Sequence, residues 1–331
     1  MNEGREVRRV AALFIVGLVL LQPCLEALAE RPSHVSTIGW LAVSAGPSDA
    51  AVKALRDGLH DLGYDDGRDY RLEHRNAAGH VERLPQLADE LVQAKVDVIL
   101  TATNDAIFAA ARATSTIPIV AVHLGGDDPT ALGIVQSLNR PGGNVTGLTV
   151  RNTELAGKRL ELLKEILPGL SRLAVLSDSF GQRELAFLEP AARSLGVQLR
   201  VIDLSGNTDF KAAFVAMKAH GTEAVMVLGS PVFYVHARDL GVMALENKVP
   251  LVGSYRSLVV SGGLLSYSTD VTDAFYRAAY FVDRIIKGTR PDQLPYEQTA
   301  TVKLVVNSKT ARALAISVPQ SVLLRADEVI R

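Results

Sequence analysis

Polar side chains recur in this chain at one kind of position, just after a short apolar run that ends in a chain breaker. In the first half they are Ser44 and Gly46 in SAGPSD, Thr103 and Asn104 in TATND, and His123, Asp127 and Asp128 in VHLGGDD. In the second half they are Asp178 in SDS and Ser230 in GSP. Asn152, Tyr255 and Asp270 lie near points where the chain changes course. Hydroxyls and the free amides of a helix start can hold a carboxylate. An aspartate in the same place can hold an ammonium through charge-assisted hydrogen bonds. Each residue also has a plain role, because Ser, Asn and Asp at these positions often cap the next helix. Asp128, beside Pro129, is open to either role, and Asp127 is an equal candidate. As a group they point to a site that binds a small polar solute.

Motifs for other chemistry are missing. No G-x-S-x-G elbow, G-x-x-x-x-G-K-[ST] loop or H-E-x-x-H helix occurs. The first strand–turn–helix carries one glycine, Gly46, where dinucleotide binding asks for three. The seven histidines are scattered, and His74 and His80 do not make the three or four convergent ligands a metal needs. The reading is therefore no catalytic residue, no metal and no cofactor. With 35 basic and 36 acidic residues the formal net charge is -1, which gives no basic surface for nucleic acid.

The N-terminus reads as an address. Arg5, Arg8 and Arg9 precede an apolar stretch from Val10 to Leu21, too short for a comfortable membrane span. Ala27-Leu28-Ala29 then supplies a small-x-small cleavage pattern, which predicts a signal peptide over 1–29 and an exported protein beginning at Glu30. A lipid signal ending at Cys24 is disfavoured by the preceding Pro23. Cleavage after Ala29 would remove the only cysteine, leaving no thiol chemistry and no disulfide.

The elements that must position the polar residues alternate strand and helix along the whole chain. Ile38–Val43, 70–74, 96–100, 117–120 and 145–150 read as strands, with amphipathic helices between the first four. After Asn152 a helix over 154–167 opens a second series, with strands at 172–176, 197–202 and 223–228. Alternation of this length implies parallel sheets covered on both faces. Gly253–Ser257 reads as a return crossing, 263–267 as a strand rejoining the first domain, and 291–295 as a third crossing. The fold class is α/β: two doubly wound parallel-sheet lobes joined by a three-segment hinge. One lobe comprises 36–150 plus 257–292, and the other 151–254 plus 299–331. In such sheets ligands bind beyond the carboxyl ends of the strands, and clefts between domains are favoured.

Ordered matches run through nearly the whole mature chain. They include LRDGLHDLGYDDGRDY (55–70), ERLPQLADELVQAKVDVIL (82–100), SLNRPGGNVTGLTV (137–150), ELAGKRLELLKEILPGLSRLAVL (154–176), LVVNSKTARAL (304–314) and LLRADEVI (323–330). In these the chain resembles the substrate-binding proteins of ABC transporters with the type I periplasmic fold, in the group with tryptophan- and phenylalanine-binding members. The resemblance implies a non-catalytic, monomeric periplasmic module that closes on a small solute and meets permease subunits in the membrane. The solute implied is an amino acid or related carboxylate. A periplasmic sensor for a membrane receptor, and an enzyme on the same scaffold, stand beside it as alternatives. The chain departs from the family at Asn104-Asp105 and Ser177-Asp178-Ser179, where Thr-Pro and Trp-Asn-Pro are usual. It also has Ala315 where the family has a helix-ending glycine.

Overall fold

The computed structural model describes residues 35–44, 50–123, 128–150, 153–206, 208–299 and 302–331. The expected signal peptide lies outside the described residues. Strands and helices are numbered along the chain.

The first sheet is built from β1 (Ser36–Ala42), β2 (Tyr70–Asn76), β3 (Val98–Ala102), β4 (Ile119–His123), β5 (Val145–Val150) and the short β11 (Glu297–Thr299). Its order is β11-β5-β4-β3-β1-β2, and every pairing is parallel. Side chains alternate across the sheet, so β1 feeds two cores at once. Ile38, Trp40 and Ala42 face helices α1 (Ala50–Asp61) and α10 (Val271–Ile286). Leu41 faces α2 (Leu84–Gln93) and α3 (Asn104–Ala113) on the other side. Gly147 lets β5 lie close to β4: its φ is +143°, and a Cβ there would stand 2.1 Å from the Ala121 carbonyl oxygen.

The second sheet takes β6 (Arg172–Ser177), β7 (Gln198–Asp203), β8 (Ala224–Val227), β9 (Leu251–Gly253), β10 (Leu265–Thr269), β12 (Val302–Asn307) and β13 (Glu328–Ile330). Its order is β13-β12-β10-β9-β8-β6-β7, parallel except where β12 runs against β10. On one face lie α4 (Leu155–Ile166), α5 (Gln182–Ser194), α11 (Ser308–Ala313) and α12 (Gln320–Arg325). On the other lie α6 (Phe210–Ala219), α7 (Pro231–Val235), α8 (Ala237–Glu246) and α9 (Arg256–Val260). Both sheets belong to one compact unit, Ser36–Arg331.

Two assignments change. The third crossing, expected at 291–295, comes after Thr299, because Leu294 and Tyr296 pack in the first lobe's cores and β11 still pairs with β5. The strand expected at 263–267 to rejoin the first lobe is β10, and it pairs with β9 and β12 in the second sheet. Only the short α9 and a Gly262-Gly263 turn separate β9 from β10, with the Gly263 amide donating to the Leu258 carbonyl. So short a connection returns the chain to the neighbouring strand position. Residues 257–269 therefore belong to the second lobe, and the return crossing sits at Asp270 instead of 253–257. From there α10 lays Ala274, Phe275, Ala278 and Val282 against the first lobe's core at helical spacing. Ala315, where a glycine is usual, takes φ 53°, a left-handed conformation that costs about 1 kcal/mol for a residue with a Cβ.

Candidate functional site

Helix starts from both lobes converge on one cavity of about 320 Å³. The first lobe gives it an apolar wall and two hydroxyls. Trp40, the chain's only tryptophan and 2% exposed, stacks on Phe275 with ring centroids 4.8 Å apart and planes at 20°. Both rings line the cavity. Such offset stacking stabilises a pair by roughly 0.5–1.5 kcal/mol beyond burial.

The hydroxyls are Ser44 Oγ and Thr103 Oγ1. Both are buried, both residues line the cavity, and neither atom has a hydrogen-bond partner among the described residues. Thr103 is the N-cap of α3, yet its side chain does not cap the helix. Its backbone holds φ 71°, ψ 148°, a region nearly reserved for glycine. A β-branched residue there stores on the order of 1–3 kcal/mol of strain, and such strain gathers at binding sites. The strained turn leaves the first amides of α3 and a free hydroxyl at one wall, an arrangement suited to an anionic group.

The second lobe gives an ionic wall whose polar groups are already engaged. Arg159 of α4, fully buried, donates from Nη1 to Glu184 Oε2 at 2.7 Å and from Nε to the Tyr267 carbonyl at 2.9 Å. Glu184, in the first turn of α5, lines the cavity and also takes long hydrogen bonds from Ser254 Oγ at 3.3 and 3.4 Å. Next to this pair the Tyr255 hydroxyl donates to the Ser230 carbonyl at 2.9 Å and accepts from the Ser230 amide at 2.5 Å. Burial, with the Glu184 carboxylate nearby, pushes the Tyr255 phenol far above its usual range, so it stays a neutral donor. Tyr234 meets Tyr255 edge to face at 5.2 Å.

Two rings tie the lobes together. Phe180, held in a turn where Asp178 Oδ1 accepts from the Phe180 and Gly181 amides at 3.0 and 3.2 Å, packs against the first lobe's core. Tyr255 packs against cores of both lobes. The cavity is thus bordered by contacts that cross between the lobes.

Residues 40–330 match the family model for ABC transporter substrate binding protein. The chain belongs to that family. It is 25% identical over 333 residues to a tyrosine-binding protein of Clostridioides difficile, covering 95% of this chain and 93% of that one. Its fold is similar to a conserved domain protein from Vibrio cholerae, with a TM-score of 0.79, 26% identity and coverage of 89% of this chain and 100% of the other. It is similar also to an ABC domain from Streptococcus pneumonia in complex with L-Trp, with a TM-score of 0.78, 25% identity and coverage of 90% and 100%. The two parallel-sheet lobes are those of the type I binding proteins, and the family is one of binding proteins, not enzymes.

In this family frame the polar residues singled out from sequence separate. Ser44, Thr103, Asn104, Ser230 and Tyr255 come together around the cavity. Asp178 sits one layer behind: its Oδ2 accepts from Ser230 Oγ and its Oδ1 serves the turn amides, so its carboxylate is used within the fold. Asp270 caps α10, accepting from the Thr272 amide at 2.9 Å and hydroxyl at 2.6 Å, and lines a second cavity of about 390 Å³ beyond Tyr255. Asp128 is exposed and accepts from the Thr130 amide and hydroxyl at 2.8 and 2.6 Å, away from the cavity lining. His123 ends β4. Gly46, Asp127 and Asn152 lie outside the described residues. Trp40, Phe275, Phe180, Tyr234 and Glu184 line the cavity and were not picked out from sequence. The lone tryptophan in the first strand, and an acidic residue opening a helix after β6, were the available signals.

Proposed function

We propose that this protein is the extracytoplasmic solute-binding component of an ABC-type importer, and that its solute is an aromatic amino acid or a related aromatic carboxylate. One observation carries the reading: a cavity between two lobes that sets stacked rings beside two unpartnered hydroxyls, Ser44 after β1 and Thr103 at the start of α3. The ring of the solute lies against Trp40 and Phe275, and its carboxylate takes the Ser44 and Thr103 hydroxyls with the α3 amides. A volume of about 320 Å³ suits one such molecule and lies at the small end for ligand pockets. Relatives named for binding tyrosine and solved with L-Trp support the same class. The lobes close on the solute by motion about the three crossings and deliver it to membrane permease subunits.

Native mass spectrometry of the protein recovered from the periplasm tests this. The expected result is a chain beginning at Glu30 that carries one aromatic carboxylate. A protein that retains only non-aromatic solutes, and that ignores aromatic carboxylates in calorimetric titration, overturns the solute class. A membrane-bound form starting at Cys24 overturns soluble export.

A further inference from the structure

Glu184 is unusual among the buried groups because its bonding is incomplete on the side that lines the cavity. A carboxylate accepts about four hydrogen bonds when fully satisfied. Glu184 Oε2 has the strong one, from Arg159 at 2.7 Å, while Oε1 has only the 3.4 Å contact from Ser254. The neighbouring backbone is bare at Gly229, also a lining residue, where a Cβ would stand 2.6 Å from Glu184 Oε1 and 3.8 Å from the Tyr255 hydroxyl. The absent side chain thus leaves that oxygen room on the cavity side. Arg159 is fully buried, and the Glu184 side chain is 7% exposed, so the pair is fixed and cannot turn outward to water.

We infer that Glu184 Oε1 is a specificity-determining acceptor that requires a hydrogen-bond donor, N–H or O–H, on the bound solute. The inference rests on the aromatic-carboxylate reading above and narrows it. When the lobes enclose a solute, water leaves this wall. A solute that brings a donor replaces the lost hydrogen bond, whereas one without it leaves a buried carboxylate oxygen undersatisfied. Sites built around such a polar group reject analogues that lack its partner far more strongly than apolar pockets reject a missing methylene. The donor is either the α-ammonium or a ring group such as a phenol or indole, and both offer the same chemistry to the oxygen.

Calorimetric titration of the mature protein with four solutes separates these sources: L-tryptophan, L-tyrosine, L-phenylalanine and 3-phenylpropanoate, which has the ring and carboxylate but no other donor. The expected result is that 3-phenylpropanoate binds at least about tenfold more weakly than the best of the others. Recovery in L-phenylalanine assigns the ammonium; recovery only in L-tyrosine or L-tryptophan assigns the ring donor. Glu184→Gln keeps an acceptor for Arg159, and Gly229→Ala sets a Cβ 2.6 Å from Oε1, which pushes that oxygen aside and closes its cavity side. Both should weaken the best solute by about tenfold or more and leave 3-phenylpropanoate unchanged, with melting curves recorded beside each titration. Equal affinity of the parent for 3-phenylpropanoate and the amino acids, or equal weakening of all four solutes in Gly229→Ala, overturns the inference while the aromatic reading survives. Failure of all four to bind the parent overturns that reading and this inference together.

Discussion

The two walls of the cavity are made by opposite strategies. On the first lobe the polar groups are few and unspent: Ser44 Oγ and Thr103 Oγ1 have no partner among the described residues, and the Thr103 backbone is strained. On the second lobe they are many and spoken for, in the Arg159–Glu184–Ser254 and Asp178–Ser230–Tyr255 networks. Unsatisfied polar groups cost free energy in the empty protein, which a ligand can return on binding. A satisfied network costs nothing further and holds its shape. On the proposed reading the first wall is where affinity is gained, and the second is a rigid template open, among the described residues, at Glu184 Oε1.

The largest expected effect comes from breaking the template. Arg159→Met strands Glu184 as a buried charge and should cost about 3–5 kcal/mol in urea denaturation. Adding Glu184→Leu should restore most of the loss, because an apolar pair of similar volume replaces a buried ion pair at little cost. If the double variant is no more stable than the single, the pair does more than fill space.

A paired hydroxyl deletion sharpens the contrast between the walls. Ser230→Ala removes a donor to the Asp178 carboxylate and an acceptor for the Val232 amide, and should cost roughly 1.5–3 kcal/mol of stability. Ser44→Ala should leave stability within about 0.5 kcal/mol of the parent and weaken solute binding instead. Equal melting shifts in the two variants would erase the distinction.

Asp178 tests the template through pH. Burial raises its carboxyl above the ordinary 3.8, outweighing the Ser230 and turn-amide hydrogen bonds that pull it down. A raised acid binds its proton more tightly when folded, so stability from this group is full below pH 3.8 and is lost as pH rises through the folded value. Asp178→Asn should thus be more stable than the parent at neutral pH, with the gap closing in acid. A gap that widens in acid contradicts the assignment.

The smallest effect concerns strain. Thr103→Gly accepts φ 71° freely and should raise stability by about 1 kcal/mol while weakening binding, since the hydroxyl goes with the strain. Unchanged affinity would remove Thr103 from the site.

Much of the fold was legible because buried parallel strands write themselves as near-continuous apolar runs, as in VILTA of β3 and AVMV of β8. The pairing of β10 was not legible, since LSYST carries nothing that names its neighbours. The hydroxyl wall could be read from residues following strands, as Ser44 and Thr103 show. Trp40 and Phe275 could not, because a ring that lines a cavity has the same sequence signature as one that fills a core. Asp128, Asp178 and Asp270 show the converse ambiguity: a capping carboxylate and a ligand-binding one have identical chemistry, and only geometry tells which amides they face.

Because Trp40 is the only tryptophan and lies in the apolar wall, its fluorescence reports directly on the central claim that the cavity between the lobes is the binding site. Titration with L-tyrosine or L-phenylalanine, under excitation selective for tryptophan, should change Trp40 emission along a saturable one-to-one curve. In Ser44→Ala and Thr103→Gly that curve should move to higher solute concentration, by about a factor of ten for each hydrogen bond lost. Saturable binding by calorimetry that leaves Trp40 emission unchanged would place the solute elsewhere and contradict the account.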